Sequence, residues 1–238
     1  MNLALRFKRL LLRSLVFALL MVGATNVNAQ KKNPPSLQQD TMEIAFIMFD
    51  DYETLDVFGP AEIFGRLVDL YTLKFYSLDG GIITNRHGVP IMTETLETVH
   101  SNPDIILIPG GLGTRKEVNN ERLLEKVKEL SQASEYVLSV CTGSAILAKS
   151  GLLDGKEATS NKRAFSWASS QSPKVKWDKR ARWKIDGKYY TSSGVSAGMD
   201  MALGFLADRH GVEFARNAAK EIEYNWTEDK DNDNFVAQ

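Results

Sequence analysis

Three short runs of this chain are apolar without alternation: Glu43 to Phe49, Asp104 to Pro109 and Val137 to Val140. A strand with one wet face alternates polar and apolar residues, so unbroken runs of this length predict strands covered on both faces. Leu73 to Leu78 reads as another strand. Asp50 to Glu53 is a polar loop, and Pro60 to Phe64 predicts a helix start, with proline early where its missing N–H costs nothing. Asn119-Asn120-Glu121 caps a second helix, whose Leu123, Leu124, Val127 and Leu130 form one apolar stripe. Glycine-rich turns at Gly80-Gly81 and Arg86-His87-Gly88 frame Ile82 to Thr84, which predicts a small antiparallel excursion. Asp186-Gly187 predicts a hairpin, and two helices, Ala197 to His210 and Val212 to Tyr224, close the domain. Strands alternating with helices specify an α/β fold with a mostly parallel sheet. Ligands of such sheets bind beyond the carboxyl ends of the strands. Three segments end there: the turn after Phe49, the loop Pro109-Gly110-Gly111, and the turn at Cys141.

The ends of the chain read differently. Arg6, Lys8, Arg9 and Arg13 precede an apolar run from Ser14 to Ala24, and Val27-Asn28-Ala29 offers a cleavage site before Gln30. Residues 1–29 therefore read as a secretory signal peptide, and a periplasmic or secreted location is expected. The apolar run is short for a bilayer span, and no cysteine follows it to carry a lipid, so no stable membrane anchor is expected after cleavage. Residues 30–41 have linker composition, residues 42–226 the size of one domain, and residues 227–238 the polarity of a disordered tail. With 29 Lys+Arg against 30 Asp+Glu the net charge is -1, which excludes a basic nucleic-acid surface. One cysteine and three scattered histidines (His87, His100 and His210) exclude disulfide frameworks and Cys-His metal clusters. No metal or cofactor is expected.

Cys141 is that one cysteine. It sits where the strand Val137 to Val140 turns into Thr142-Gly143-Ser144 and the apolar helix that follows. A sharp strand-to-helix turn exposes the residue at its apex and aims the first helical N–H groups at it, which favours a thiolate. The bland alternative is a buried structural cysteine.

The pattern resembles a known family. Leu55-Asp56-Val57-Phe58-Gly59-Pro60, Pro109-Gly110-Gly111, Ser139 to Ser144 with Gly151 to Thr159, and Thr191 to Gly198 are similar, in order, to motifs of the ThiJ/PfpI superfamily of the class I glutamine amidotransferase-like fold. Within it the chain looks most like the isonitrile hydratases and the ligand domains of AraC-type regulators. The resemblance implies a flavodoxin-like three-layer sandwich, a homodimer, and a cysteine on a nucleophile elbow. It implies that Asp56 approaches the thiol, and that the N–H groups of Gly111 and Thr142, beside Gly110, form an oxyanion hole. Flanking apolar residues should raise the pKa of Asp56 and let it donate a proton, although it could instead merely cap the helix entered at Pro60. The sequence departs from many relatives at Thr159-Ser160-Asn161-Lys162, where they carry a histidine base; Asn161 cannot accept a proton. Cys-His amidase chemistry is thereby demoted.

The expected function is a hydratase of isonitrile hydratase type acting on a small electrophilic substrate. The alternatives are glyoxalase- or deglycase-like or amidase chemistry, and a redox or ligand sensor without catalysis. A regulator would need a DNA-binding domain, and only about a dozen residues follow the last helix predicted here.

Overall fold

The computed structural model describes residues 41–99 and 103–236. The basic leader, its cleavage motif, most of the linker and His100 lie outside those residues. The domain is organised by an eight-stranded sheet and a separate strand pair. The strands are β1 (Met42–Met48), β2 (Tyr71–Ser77), β3 (Gly81–Thr84), β4 (Pro90–Thr95), β5 (Ile105–Ile108), β6 (Tyr136–Ser139), β7 (Glu157–Ala158), β8 (Lys176–Trp177), β9 (Trp183–Asp186) and β10 (Tyr189–Ser192). The large sheet runs β3-β4-β2-β1-β5-β6-β10-β9, parallel throughout except at its edges, where β3 and β9 pair antiparallel with β4 and β10. β7 and β8 form the separate pair.

The two central apolar runs account for this order. Ile44 to Met48 of β1 and all of β5 are buried, as strands covered on both faces must be. The helices are α1 (Thr54–Gly65), α2 (Thr114–Glu117), α3 (Glu121–Ala133), α4 (Gly143–Lys149), α5 (Phe165–Ser169), α6 (Ala197–His210) and α7 (Val212–Glu221). One group packs α6 against both α1 and α7; in another, α3 packs on α4. The sheet flanked by helices is the expected α/β architecture. Asn120 caps α3 through its side chain, which accepts the Leu123 N–H at 3.3 Å. The hairpin turn falls at Asp186-Gly187, where Gly187 takes a φ of 60°.

Three expectations about boundaries and ends give way. α1 opens at Thr54 rather than at Pro60, which lies inside the helix. Burial of Val57, Ile63 and Phe64 holds that helix across the hydrogen bond the proline lacks. The last helix stops at Glu221 rather than Tyr224, because Glu223 adopts a left-handed φ of 52°.

The polar tail is not free over Thr227 to Val236. Thr227 N–H donates to Asp200 Oδ1 at 2.9 Å, Arg182 N–H to Lys230 O at 2.8 Å, and Asp233 N–H to Arg180 O at 2.8 Å. Buried Arg182 donates through Nε to Asp200 at 2.6 Å and through Nη1 to Asp233 at 3.4 Å. Asp233 also faces Lys162 Nζ at 3.9 Å, so the tail braces the segment that carries Asn161. Charge composition alone suggests disorder, but here the charges meet buried counter-charges. Replacing Arg182 with Met takes the shared guanidinium from two buried carboxylates, leaving Asp200 with neutral donors only and Asp233 with Lys162 at 3.9 Å. It should lower the unfolding free energy in urea by about 3 kcal/mol. A loss near zero would show that the tail is not held this way.

Candidate active site

Val140 leads into the turn, and Cys141 stands at its apex with φ 57°, a left-handed conformation that costs a non-glycine residue about 1–2 kcal/mol. Its backbone is fixed on both sides. The N–H donates to Ser193 O at 3.1 Å, and the carbonyl accepts Ser144 Oγ at 3.1 Å and Ser160 Oγ at 2.9 Å. α4 then starts directly against the end of β5: a Cβ on Gly143 would overlap the Ile108 carbonyl. The sequence places a glycine where only a glycine fits.

Asp56 lies in the first turn of α1, fully buried. Its Oδ2 accepts the Gly110 N–H at 2.9 Å, and its carboxyl interacts with the Cys141 thiol. Oδ1 has no other hydrogen-bond partner among the described residues. Burial raises the carboxyl well above the ordinary range, against the pull of the Gly110 N–H, and so favours its protonated form. Burial, reinforced by Asp56, also raises the Cys141 thiol well above its ordinary value, while the Thr142 N–H at the sulfur opposes this. The expectation of a resting thiolate gives way here. At 7% exposure, desolvation outweighs the helix N–H groups.

The expected oxyanion donors are present but engaged. Gly110 N–H holds Asp56, and Gly110 is not among the residues lining the cavity. Gly111, at φ 128°, turns its N–H onto Thr142 Oγ1 at 3.1 Å. Thr142 N–H lies at the Cys141 sulfur. Neither Gly111 nor Thr142 offers a free N–H, so either would have to exchange a partner to meet an anion. The approach itself depends on Gly110, where a Cβ would stand 2.5 Å from Thr142 N and 2.8 Å from Asp56 Oδ2.

Cys141 opens into a cavity of 570 Å³. Gly111, Arg115, Thr142, Asn161, Arg163 and Trp167 are among its lining residues. Asn161 Oδ1 accepts the Ala164 N–H at 3.0 Å, which leaves its amide hydrogens available. Gly194 lets that amide approach the thiol: a Cβ there would overlap Asn161 Nδ2 and stand 3.0 Å from Cys141 Sγ. His87 bonds Thr54 at 2.6 Å and His210 bonds Tyr71 at 2.8 Å; neither lines the cavity. The arrangement supplies one thiol, one carboxyl raised by burial and an amide donor, with no imidazole among the described residues that line the cavity. It can add S–H across a polarised bond and relay a proton through Asp56.

Arg115 and Trp167 carry no signal in the sequence. The guanidinium of Arg115, on α2, stacks 3.9 Å over the Trp167 ring of α5. Its Nη1 donates to Gly111 O at 3.1 Å and to Thr114 Oγ1 at 3.0 Å. Two short helices about fifty residues apart meet here, and no spacing in the chain announces it.

The DJ-1/PfpI family model matches residues 42–208. An isonitrile hydratase from Pseudomonas putida is 30% identical over 185 residues, covering 77% of this chain and 78% of that protein. The HTH-type transcriptional regulator GbdR from Pseudomonas aeruginosa is 28% identical over 199 residues, covering 81% of this chain; the match spans only 51% of the regulator. Among solved structures, a THiJ/PfpI family protein from Pseudomonas syringae superimposes with a TM-score of 0.69 at 25% identity, covering 85% of this chain and 84% of that one.

Proposed function

The chain belongs to the DJ-1/PfpI family, and on that premise we propose that it is an exported, cysteine-dependent hydratase of isonitrile hydratase type. The observation that carries the reading is the contact between the buried Asp56 carboxyl, raised by burial, and the Cys141 thiol at a cavity lined by no histidine among the described residues. The 30% identity to an isonitrile hydratase supports it. Export rests on the leader pattern of residues 1–29.

The chemistry balances with these two groups and one water. Sγ attacks the terminal carbon of the isonitrile while Asp56 gives that carbon its proton and takes up the thiol proton. The net result is addition of S–H across the carbon, a thioimidate on Cys141. Water then adds to the imidate carbon. Asp56 gives the nitrogen a proton and takes one from the water, the C–S bond breaks as the hydroxyl proton passes to the sulfur, and an N-formyl amine leaves with the thiol restored. The hydroxyl-bearing intermediate is the one species that calls for an N–H donor, from Thr142 or Asn161.

The purified mature protein should convert isonitriles to N-formyl products, followed by loss of the isonitrile infrared band and by mass spectrometry. No turnover across aliphatic and aromatic isonitriles, beside an active control hydratase, would remove the proposal.

A further inference from the structure

The cavity above Cys141 carries more positive charge than the proposed chemistry uses. Arg86, Arg115 and Arg163 line it, against the one carboxylate of Glu53. Glu53 is already paired with Arg86 at 2.9 Å, so those two cancel. Arg115 and Arg163 have no carboxylate partner among the described residues. Arg163 is exposed at the cavity mouth, whereas Arg115 is partly buried and fixed.

The way Arg115 is fixed matters. Its ring contact with Trp167 and its Nη1 bonds to Gly111 O and Thr114 Oγ1 hold the guanidinium plane. The Nε and Nη2 donors have no protein partner among the described residues. Nη1 also stands 3.5 Å from Thr142 Oγ1, so the group sits beside the residue that follows Cys141. A planar fork with unused parallel donors is matched to a carboxylate, and partial burial strengthens the pairing.

We propose that the substrate bears a carboxylate close to its electrophilic carbon, received by the free edge of Arg115, with Arg163 steering the anion at the mouth. The inference rests on the reading of Cys141 as the reacting group and deepens it by naming the substrate class: small anionic electrophiles rather than neutral ones.

Alkylation of Cys141 by iodoacetate and by iodoacetamide tests this without requiring turnover. The two reagents differ by a carboxylate in place of an amide. Taking the ratio of their second-order rate constants at one mildly alkaline pH cancels the thiolate fraction. At low salt the intact chain should favour iodoacetate by about tenfold relative to a small-molecule thiol. Arg115→Met should return the ratio to the free-thiol value, and Arg115→Lys should leave it between. Arg163→Met should lower it about threefold, an effect that disappears at high salt because that group is exposed. A wild-type ratio equal to that of the free thiol, or one unmoved by Arg115→Met, overturns the proposal.

A second comparison separates this inference from the function it rests on: turnover of isocyanoacetate against its methyl ester. Turnover without any preference for the anion, in either assay, overturns the anion site and leaves the hydratase. A retained iodoacetate preference without isonitrile turnover supports the anion site and removes the hydratase. Absence of alkylation by either reagent overturns both.

Discussion

Cys141→Ala should abolish isonitrile turnover, with a loss of about 10⁴-fold or more in kcat, while the protein stays folded. The side chain removed is small, and its burial contributes about 1 kcal/mol. The turn does not depend on it: Ser193, Ser144 and Ser160 hold its backbone from outside. A companion substitution separates strain from chemistry. Cys141→Gly relieves the left-handed φ of 57° and should be more stable than Cys141→Ala by about 1 kcal/mol. Both variants should be inactive and, with no other cysteine in the chain, inert to iodoacetamide. Turnover within tenfold of wild type in either variant places the chemistry on another residue. A natural side chain held in a conformation that glycine would occupy more cheaply is expected where position matters more than stability.

The parts of this molecule that were legible in its sequence share one property: a short stretch of chain suffices to determine them. The runs around Ile44 and Ile105 announce strands buried on both faces, and the Cys141 turn needs only its strand and α4. Pro60 misled because a proline early in a helix and one inside a helix look alike until burial decides between them. It placed Asp56 before α1, whereas the carboxyl lies within the first turn and is oriented by Gly110 N–H. The roles of Gly110 and Gly111 followed from where their N–H groups point, which composition does not encode. The stacking of Arg115 on Trp167 and the anchoring of Asp233 by Arg182 join distant segments, and each partner alone reads as an ordinary surface charge or aromatic.

Asp56→Asn makes the strongest demand on the proposed chemistry, because activity and stability should move in opposite directions. Asparagine keeps an oxygen for the Gly110 N–H but cannot exchange a proton, so kcat should fall by about 10²–10⁴-fold. The stability argument follows from the raised carboxyl. Below the ordinary carboxylate pKa, near 3.9, Asp56 is protonated in folded and unfolded chains alike, and its full contribution to stability is present. As pH rises through the window between that value and the raised folded pKa, the unfolded chain releases the proton while the fold retains it. Stability is therefore lost across the window, at about 1.4 kcal/mol for each pH unit that it spans. Asparagine does not titrate, so the variant should hold its stability across the window and exceed wild type at about pH 8, with little or no advantage at about pH 4. Thermal unfolding at the two pH values measures this. A third readout reports on the sulfur: removing Asp56 takes away a group that raises the thiol, so the pH midpoint of Cys141 alkylation should move down. A merely structural Asp56 would lose stability on substitution at every pH and leave that midpoint in place. A carboxyl that acts on the thiol costs the fold stability at neutral pH, and its removal should return that stability while ending the reaction.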